Sequence, residues 1–64
     1  MNAIQNLLER DGLLTVREVS QFLQLTPAHV RKMLACGRLH GYLTEGSWRI
    51  NPSDLVLYLE ERRN

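Results

Sequence analysis

The positions of apolar and polar residues along the chain mark three helix starts. Each start has an apolar residue, then a residue whose side chain caps a helix, then another apolar residue four positions after the cap. The caps are Thr15, Thr26 and Asn51. Glu18 completes a capping box with Thr15, and proline follows each of the other two caps at the first helical position that it favours. The pattern therefore predicts helices that begin at residues 16, 27 and 52.

The first two predicted helices follow each other very closely. The first has one apolar stripe over Val16–Leu23, and the second covers residues 27–36 and stops at Gly37, which tolerates the left-handed conformation of a helix end. Only Gln24 and Leu25 separate the first helix from the cap of the second. Helices joined by so short a turn must cross at a steep angle, so the pattern predicts a helix-turn-helix.

Residues 39–50 have the composition of short strands. β-branched and aromatic residues flank Glu45 and Gly46, which is typical of a hairpin. A two-stranded ribbon is unstable alone, so we expect it to pack on the helices through Trp48 and Ile50. Trp48 is expected to be the largest side chain of the core.

The two ends of the chain each add a predicted helix. The helix at residues 52–62 turns most of its apolar side chains inward and leaves Leu57 on the opposite side. A further helix at residues 3–10 has an apolar stripe of its own, and we expect it to cover Leu57 within one chain. Contact between chains, in a dimer or with a recombinase, is the alternative. The chain thus divides into an N-terminal helical extension at residues 1–12 and a main domain at residues 13–64.

The 64 residues hold few side chains that carry chemistry. One cysteine and two histidines form neither an internal disulfide nor a zinc site of four ligands. No catalytic set and no phosphate-binding glycine loop is recognisable, so we expect no enzyme, no cofactor, no metal and no small-molecule substrate. The sequence shows neither a signal-peptide pattern nor an apolar run of membrane-spanning length, and we expect a cytoplasmic protein with no membrane partner.

The charges are unevenly distributed, although the net charge is only +1. Residues 26–49 contain four basic residues against one acidic residue, a balance of +3, whereas the rest of the chain has four basic residues against six acidic ones, a balance of −2. A basic face of this kind is typical of proteins that bind an anionic partner.

The second predicted helix has a polar face suited to DNA. At about 100° per residue, the face opposite its apolar stripe is centred on Ala28, Lys32 and Ala35, with His29 and Arg31 beside them. Small residues let the backbone of a helix approach base edges, and cations meet phosphates or guanine. An ordinary solvated face is the alternative for this helix taken alone.

Several of these features occur in the order found in one protein family. In chain order they read Leu14-Thr15-Val16, Gly37-Arg38-Leu39, Trp48-Arg49-Ile50 and Asp54-Leu55. From residue 14 to about residue 60 the sequence resembles the excisionase-type, MerR-like winged helix-turn-helix DNA-binding domains. The resemblance implies a mainly α fold with a small β-hairpin wing, a helix in the major groove of double-stranded DNA and a wing on the adjacent backbone.

The resemblance also implies a biological setting. Family members act as excisionases that direct a phage or transposon recombinase, or as small transcription regulators. The implied partners are duplex DNA, a recombinase or integrase, and neighbouring copies of the chain on repeated sites, in a bacterial or phage context. Two positions depart from the family: Gln24 stands where glycine is usual in the turn, and Glu45 stands at the wing tip, where arginine or glycine is usual.

Eleven residues are expected to contact DNA. We expect Arg31 and Lys32 to supply most of the affinity of the second helix, and residues elsewhere to meet phosphates. The full set is Thr15, Arg17, Thr26, Ala28, His29, Arg31, Lys32, Ala35, Arg38, Ser47 and Arg49. Two other functions remain open: a protein-interaction module on a winged-helix fold, and the DNA-recognition domain of a phage packaging or replication protein.

Overall fold

Three helices and three short strands form the domain, in a computed structural model that describes residues 12–62. In chain order the elements are β1 (Leu14–Thr15), α1 (Val16–Leu23), α2 (Pro27–Ala35), β2 (Tyr42–Thr44), β3 (Ser47–Ile50) and α3 (Pro52–Glu61). This is a small winged helix-turn-helix, as the sequence predicts. The predicted N-terminal helix, and with it the choice of what covers Leu57, lies outside the described residues.

The three predicted caps are present at the starts of the helices. The Thr15 hydroxyl accepts a hydrogen bond from the Glu18 N–H at 3.1 Å, and the Glu18 carboxylate accepts one from the Thr15 N–H at 3.0 Å. The Thr26 hydroxyl accepts from the N–H of His29, and the side-chain oxygen Oδ1 of Asn51 accepts from the N–H of Ser53, both at 3.1 Å. These bonds confirm the predicted helix starts, because each satisfies a backbone donor that the helix itself leaves free.

The turn between α1 and α2 depends on one left-handed residue. Gln24 has φ 59° and ψ 43°, and its N–H donates to the carbonyl oxygen of Ser20. The Leu25 N–H donates to the same oxygen at 2.9 Å. Gln24 therefore adopts the backbone conformation that glycine reaches more easily, at a cost on the order of 1 kcal/mol.

The end of α2 turns the chain back into the core. The helix ends at Ala35, one residue earlier than predicted, and Gly37 has the left-handed φ of 86° expected at that position. The N–H groups of Arg38 and Leu39 both donate to the carbonyl oxygen of Met33. This turn buries Leu39, which is 1% exposed.

The sheet has three antiparallel strands in the order β1-β3-β2. The predicted hairpin is confirmed, with Glu45 and Gly46 in its turn at φ 51° and 79°. Such angles are those of a type I′ turn, which suits the twist of a hairpin. The third strand is a correction to the predicted two-stranded ribbon, since Leu14 pairs with Ile50.

The core consists of aliphatic and methionine side chains from every helix and from the sheet. Its buried members are Leu14, Val19, Val30, Met33, Leu34, Leu39, Ile50, Leu55 and Val56. Trp48 is partly buried and packs against this cluster without belonging to its buried members, so the expectation that it is the largest side chain of the core is wrong. Trp48 lies two residues from the hairpin turn, whereas Ile50, at the other end of β3, is completely buried.

Leu57 is 48% exposed, as predicted.

Candidate nucleic-acid interface

One side of α2 belongs to the core, and the other faces solvent. Val30, Met33 and Leu34 are buried. The residues expected to face DNA from this helix are all exposed, and they are Ala28, His29, Arg31, Lys32 and Ala35. The burial of α2 thus leaves free the face that the sequence assigns to DNA.

The exposed face of α2 is asymmetric. Helical geometry places Ala28 and Ala35 near its middle, within about 20° of each other around the axis. Arg31 lies about 60° to one side of Ala28, whereas Lys32 and His29 lie about 40° and 100° to the other side. The helix therefore has a small-residue centre with one cation on the first edge and two basic side chains on the second.

A depression lies between the start of α1, the side of α2 and the hairpin. Its volume is 260 Å³, and its lining consists of Thr15, Val16, Arg17, Arg31, Gly46, Ser47, Trp48 and Arg49. We call it the arginine pocket. Five members of the predicted set of DNA contacts meet here, although they are far apart in sequence. Among the described residues that line it, three are arginines and none is acidic.

The sheet holds Arg49 at this pocket. Arg49 lies on the central strand, opposite Thr15 of β1 and Tyr42 of β2. Its Nη1 donates a hydrogen bond of 2.9 Å to the carbonyl oxygen of Trp48. This bond fixes the guanidinium to the backbone of β3 and leaves further N–H donors for an anion.

Arg38 and Thr26 do not line the arginine pocket. Arg38 lines a separate depression beside α3, with the acidic residues Asp54 and Glu61 and the exposed Leu57. Thr26 is at the start of α2, where its hydroxyl caps the helix. The eleven residues therefore fall into the outer face of α2, the arginine pocket and these two separate positions.

Sequence reasoning missed the contribution of Trp48 to the site. Its carbonyl oxygen holds Arg49, and the residue lines the arginine pocket. Val16 and Gly46 also line the pocket. No local pattern brings these residues together, because the pocket exists only once β1 pairs with β3.

The remaining chemistry of the described residues is sparse. Within residues 12–62 no group of three or more histidine, cysteine or acidic side chains is arranged to hold a metal ion. No helix in this part of the chain has both the length and the apolar character needed to cross a membrane.

A capped helix pair joined by a tight turn, a third helix and a hairpin beside them define the class of winged helix-turn-helix domains. A family model described as a helix-turn-helix domain matches residues 13–63, and the chain belongs to this family of excisionase-like domains. No curated protein and no solved structure matches the chain. The family points to DNA as the partner and is typically non-enzymatic.

Proposed function

We propose that the protein binds double-stranded DNA with sequence selectivity, inserting α2 into the major groove and laying the hairpin on the adjacent backbone. In this role it is an excisionase-like recombination directionality factor or a small transcriptional regulator. The observation that carries the proposal is the outer face of α2. Two alanines lie between its two basic edges, and the edge that holds Arg31 adjoins the arginine pocket.

The dimensions of α2 fit the groove. A helix with its side chains is about 10–12 Å wide, and the major groove of B-DNA is about 12 Å wide. Ala28 and Ala35 allow the backbone to come close to base edges, and their methyl groups can contact the methyl group of thymine. Lys32 and His29 reach from one side of this centre to guanine or to phosphate.

The phosphate contacts come from several elements. Arg17 and Arg49 neutralise backbone charge beside α2, with the Ser47 hydroxyl as an additional donor. Thr26 stands at the start of α2, where the helix dipole favours a phosphate. We expect a smaller contribution from Arg38, because Asp54 and Glu61 line the same depression and offset its charge.

A single domain of this size has few contacts and should bind one site weakly. Tight binding then requires neighbouring copies on repeated sites or a recombinase that holds the protein on DNA. The DNA-recognition domain of a phage packaging or replication protein would use the same face of α2. An excisionase, a regulator and a packaging factor therefore differ in partner rather than in DNA chemistry.

A protein-interaction module is the second candidate function. It is favoured by the exposed apolar side chains Tyr42, Leu43 and Leu57, which are 54%, 62% and 48% exposed. Glu45 at the tip of the hairpin also opposes an approach to phosphates. Under this alternative the winged fold would be kept while DNA binding is lost.

The test is the salt dependence of duplex binding, followed by selection of a preferred site from random duplexes. With about four phosphate contacts, the logarithm of the binding constant should fall with the logarithm of salt concentration at a slope near −3.6. On the selected site, Lys32→Ala should weaken binding by about 1–3 kcal/mol. Arg62→Ala is the control, since it removes the same charge at the end of α3. Affinity that is independent of salt and equal in all three proteins would overturn the proposal.

A further inference from the structure

We propose that the arginine pocket holds one phosphate group of the DNA backbone, so that Arg31 binds backbone while Lys32 reads a base. The inference rests on the proposed function. It gives the two main cations of α2 different tasks, backbone binding for Arg31 and base reading for Lys32. On the sequence alone, Arg31 and Lys32 have the same role, as the two residues that supply most of the DNA affinity of α2.

The charge of the pocket favours the binding of an anion. Arg17 follows the cap of α1, Arg31 is on α2 and Arg49 is on β3, and all three line one depression. Three guanidinium groups with no acidic residue in the lining repel one another, and a bound anion turns that repulsion into attraction. Arginine also matches phosphate geometrically, because its planar fork donates two parallel hydrogen bonds.

The size of the pocket selects a small anion. Its volume of 260 Å³ is below the range of about 300–1,000 Å³ typical of small-molecule sites. A phosphate group with a few waters fits this space. The open position of the pocket beside the exposed face of α2 suits a phosphate that belongs to a DNA strand.

The hydroxyl groups of the pocket have different tasks. Thr15 is committed to α1, because its hydroxyl accepts from the Glu18 N–H and donates to the Glu18 carboxylate at 3.3 Å. Ser47 is exposed on the hairpin and lines the pocket. We therefore assign Thr15 as a positioning residue and Ser47 as the hydroxyl donor to the phosphate.

The position of Arg31 on α2 separates it from Lys32. The two side chains are about 100° apart around the helix axis, and only Arg31 lines the pocket. When the phosphate is bound, Arg31 is directed away from the floor of the major groove. Lys32 lies on the far side of the alanine centre and is the cation of α2 that remains available to a base edge.

The experiment combines protein variants with duplexes in which single phosphates are replaced by neutral methylphosphonates. On a duplex that the wild-type protein binds, one replacement should weaken wild-type binding about tenfold and weaken binding by Arg31→Ala less, because the variant has already lost one of the three guanidinium contacts to that phosphate. The same replacement should still weaken binding by Lys32→Ala. Arg31→Ala should also lower the salt slope by about 0.9 without changing base preference, and Lys32→Ala should relax base preference.

Three other results would overturn the assignment of Arg31, the proposed function or the DNA phosphate as the occupant of the pocket. If every methylphosphonate weakens wild type and Arg31→Ala equally, or if Arg31→Ala changes base preference, the assignment of Arg31 is overturned while DNA binding stands. If the wild-type protein binds no duplex, the proposed function fails and this inference fails with it. Inorganic phosphate that shifts the side-chain N–H signals of Arg17, Arg31 and Arg49, with no shift on adding duplex, would assign the pocket to a free anion and overturn the proposal.

Discussion

Arg49 on β3 lies directly opposite Thr15, the residue that caps α1. Thr15 belongs to β1 through its backbone and to α1 through its side chain, so this pair joins the hairpin to the helix-turn-helix. The distance along the backbone from Thr15 to Arg17 is only two residues. The sheet therefore sets the positions of Arg17 and Arg49 relative to each other, and the hairpin and helices form one connected surface, the one proposed to bind DNA.

Thr26 allows the stability of α2 to be separated from DNA binding. Thr26→Ala removes the hydroxyl that accepts from the His29 N–H and should lower the free energy of unfolding by about 1 kcal/mol. Thr26→Asp keeps a capping oxygen and should retain wild-type stability, but its negative charge should weaken duplex binding. Urea denaturation and duplex titration measure the two effects.

Thr26→Ser is the matched control, since it keeps both the cap and the charge. It should resemble the wild-type protein in both measurements. Equal duplex affinity of Thr26→Asp and Thr26→Ser would place the start of α2 away from the DNA backbone.

Gly41 lies where two elements approach closely. A Cβ atom at this position would be 2.6 Å from Leu34 Cδ2 and 3.1 Å from the carbonyl oxygen of Arg49. Gly41→Ala should therefore lower the free energy of unfolding by about 1–3 kcal/mol, because the backbone oxygen cannot move aside without disturbing β3. Thermal or urea denaturation measures the loss.

Leu34→Val provides the control for Gly41, since valine lacks the Cδ2 atom. The cost of Gly41→Ala should be smaller in the Leu34→Val background, with an interaction free energy of about 0.5 kcal/mol or more. A Gly41→Ala variant as stable as the wild-type protein would show that the loop before β2 relaxes freely.

The turn of the hairpin can be improved. Glu45 has φ 51° and precedes Gly46, so Glu45→Asn creates the Asn-Gly pair that type I′ turns prefer. The variant should be more stable by about 0.5–1 kcal/mol. It should also bind duplex more tightly at low salt, because a negative charge beside the arginine pocket is removed.

Glu45→Gln separates the charge from the turn. It should share the gain in duplex affinity while its free energy of unfolding stays near that of the wild-type protein. Unchanged affinity in both variants would mean that the tip of the hairpin is remote from DNA.

Gln24 gives a test of backbone strain at the turn between α1 and α2. Because Gln24 is left-handed, Gln24→Gly should raise the free energy of unfolding by about 0.5–1 kcal/mol. Gln21→Gly makes the same chemical change on the exposed side of α1 and should lower it by about 1 kcal/mol. If the free energy of unfolding changed in the same direction in both variants, the backbone at Gln24 would not be strained.

The parts of the fold that depend on short-range interactions could be predicted from the sequence. The caps of the three helices each act over two or three residues, and Gly37 and Gly46 mark turns by their backbone freedom. β1 was not predicted, because it has only two residues and pairs with β3, which lies far along the chain and places Ile50 opposite Leu14. The partial burial of Trp48 likewise depends on how the hairpin packs against the core, which no local pattern determines.

The candidate site divides in the same way. The periodicity of α2 was enough to identify the exposed residues from Ala28 to Ala35. The sequence also indicated Arg17, Arg31 and Arg49 as basic contacts, but it could not group them. Their common pocket arises from the pairing of β1 with β3 and from the packing of α1 beside α2.

The most direct test of DNA binding through α2 and the hairpin is an amide chemical-shift titration of the protein with a short duplex at low salt. The amides from Thr26 to Ala35 and those of Ser47–Ile50 should shift together, and they should return to their starting positions when salt is added. No shifts, or shifts confined to the surroundings of Leu57 and Tyr42, would contradict DNA binding and favour the protein-interaction module.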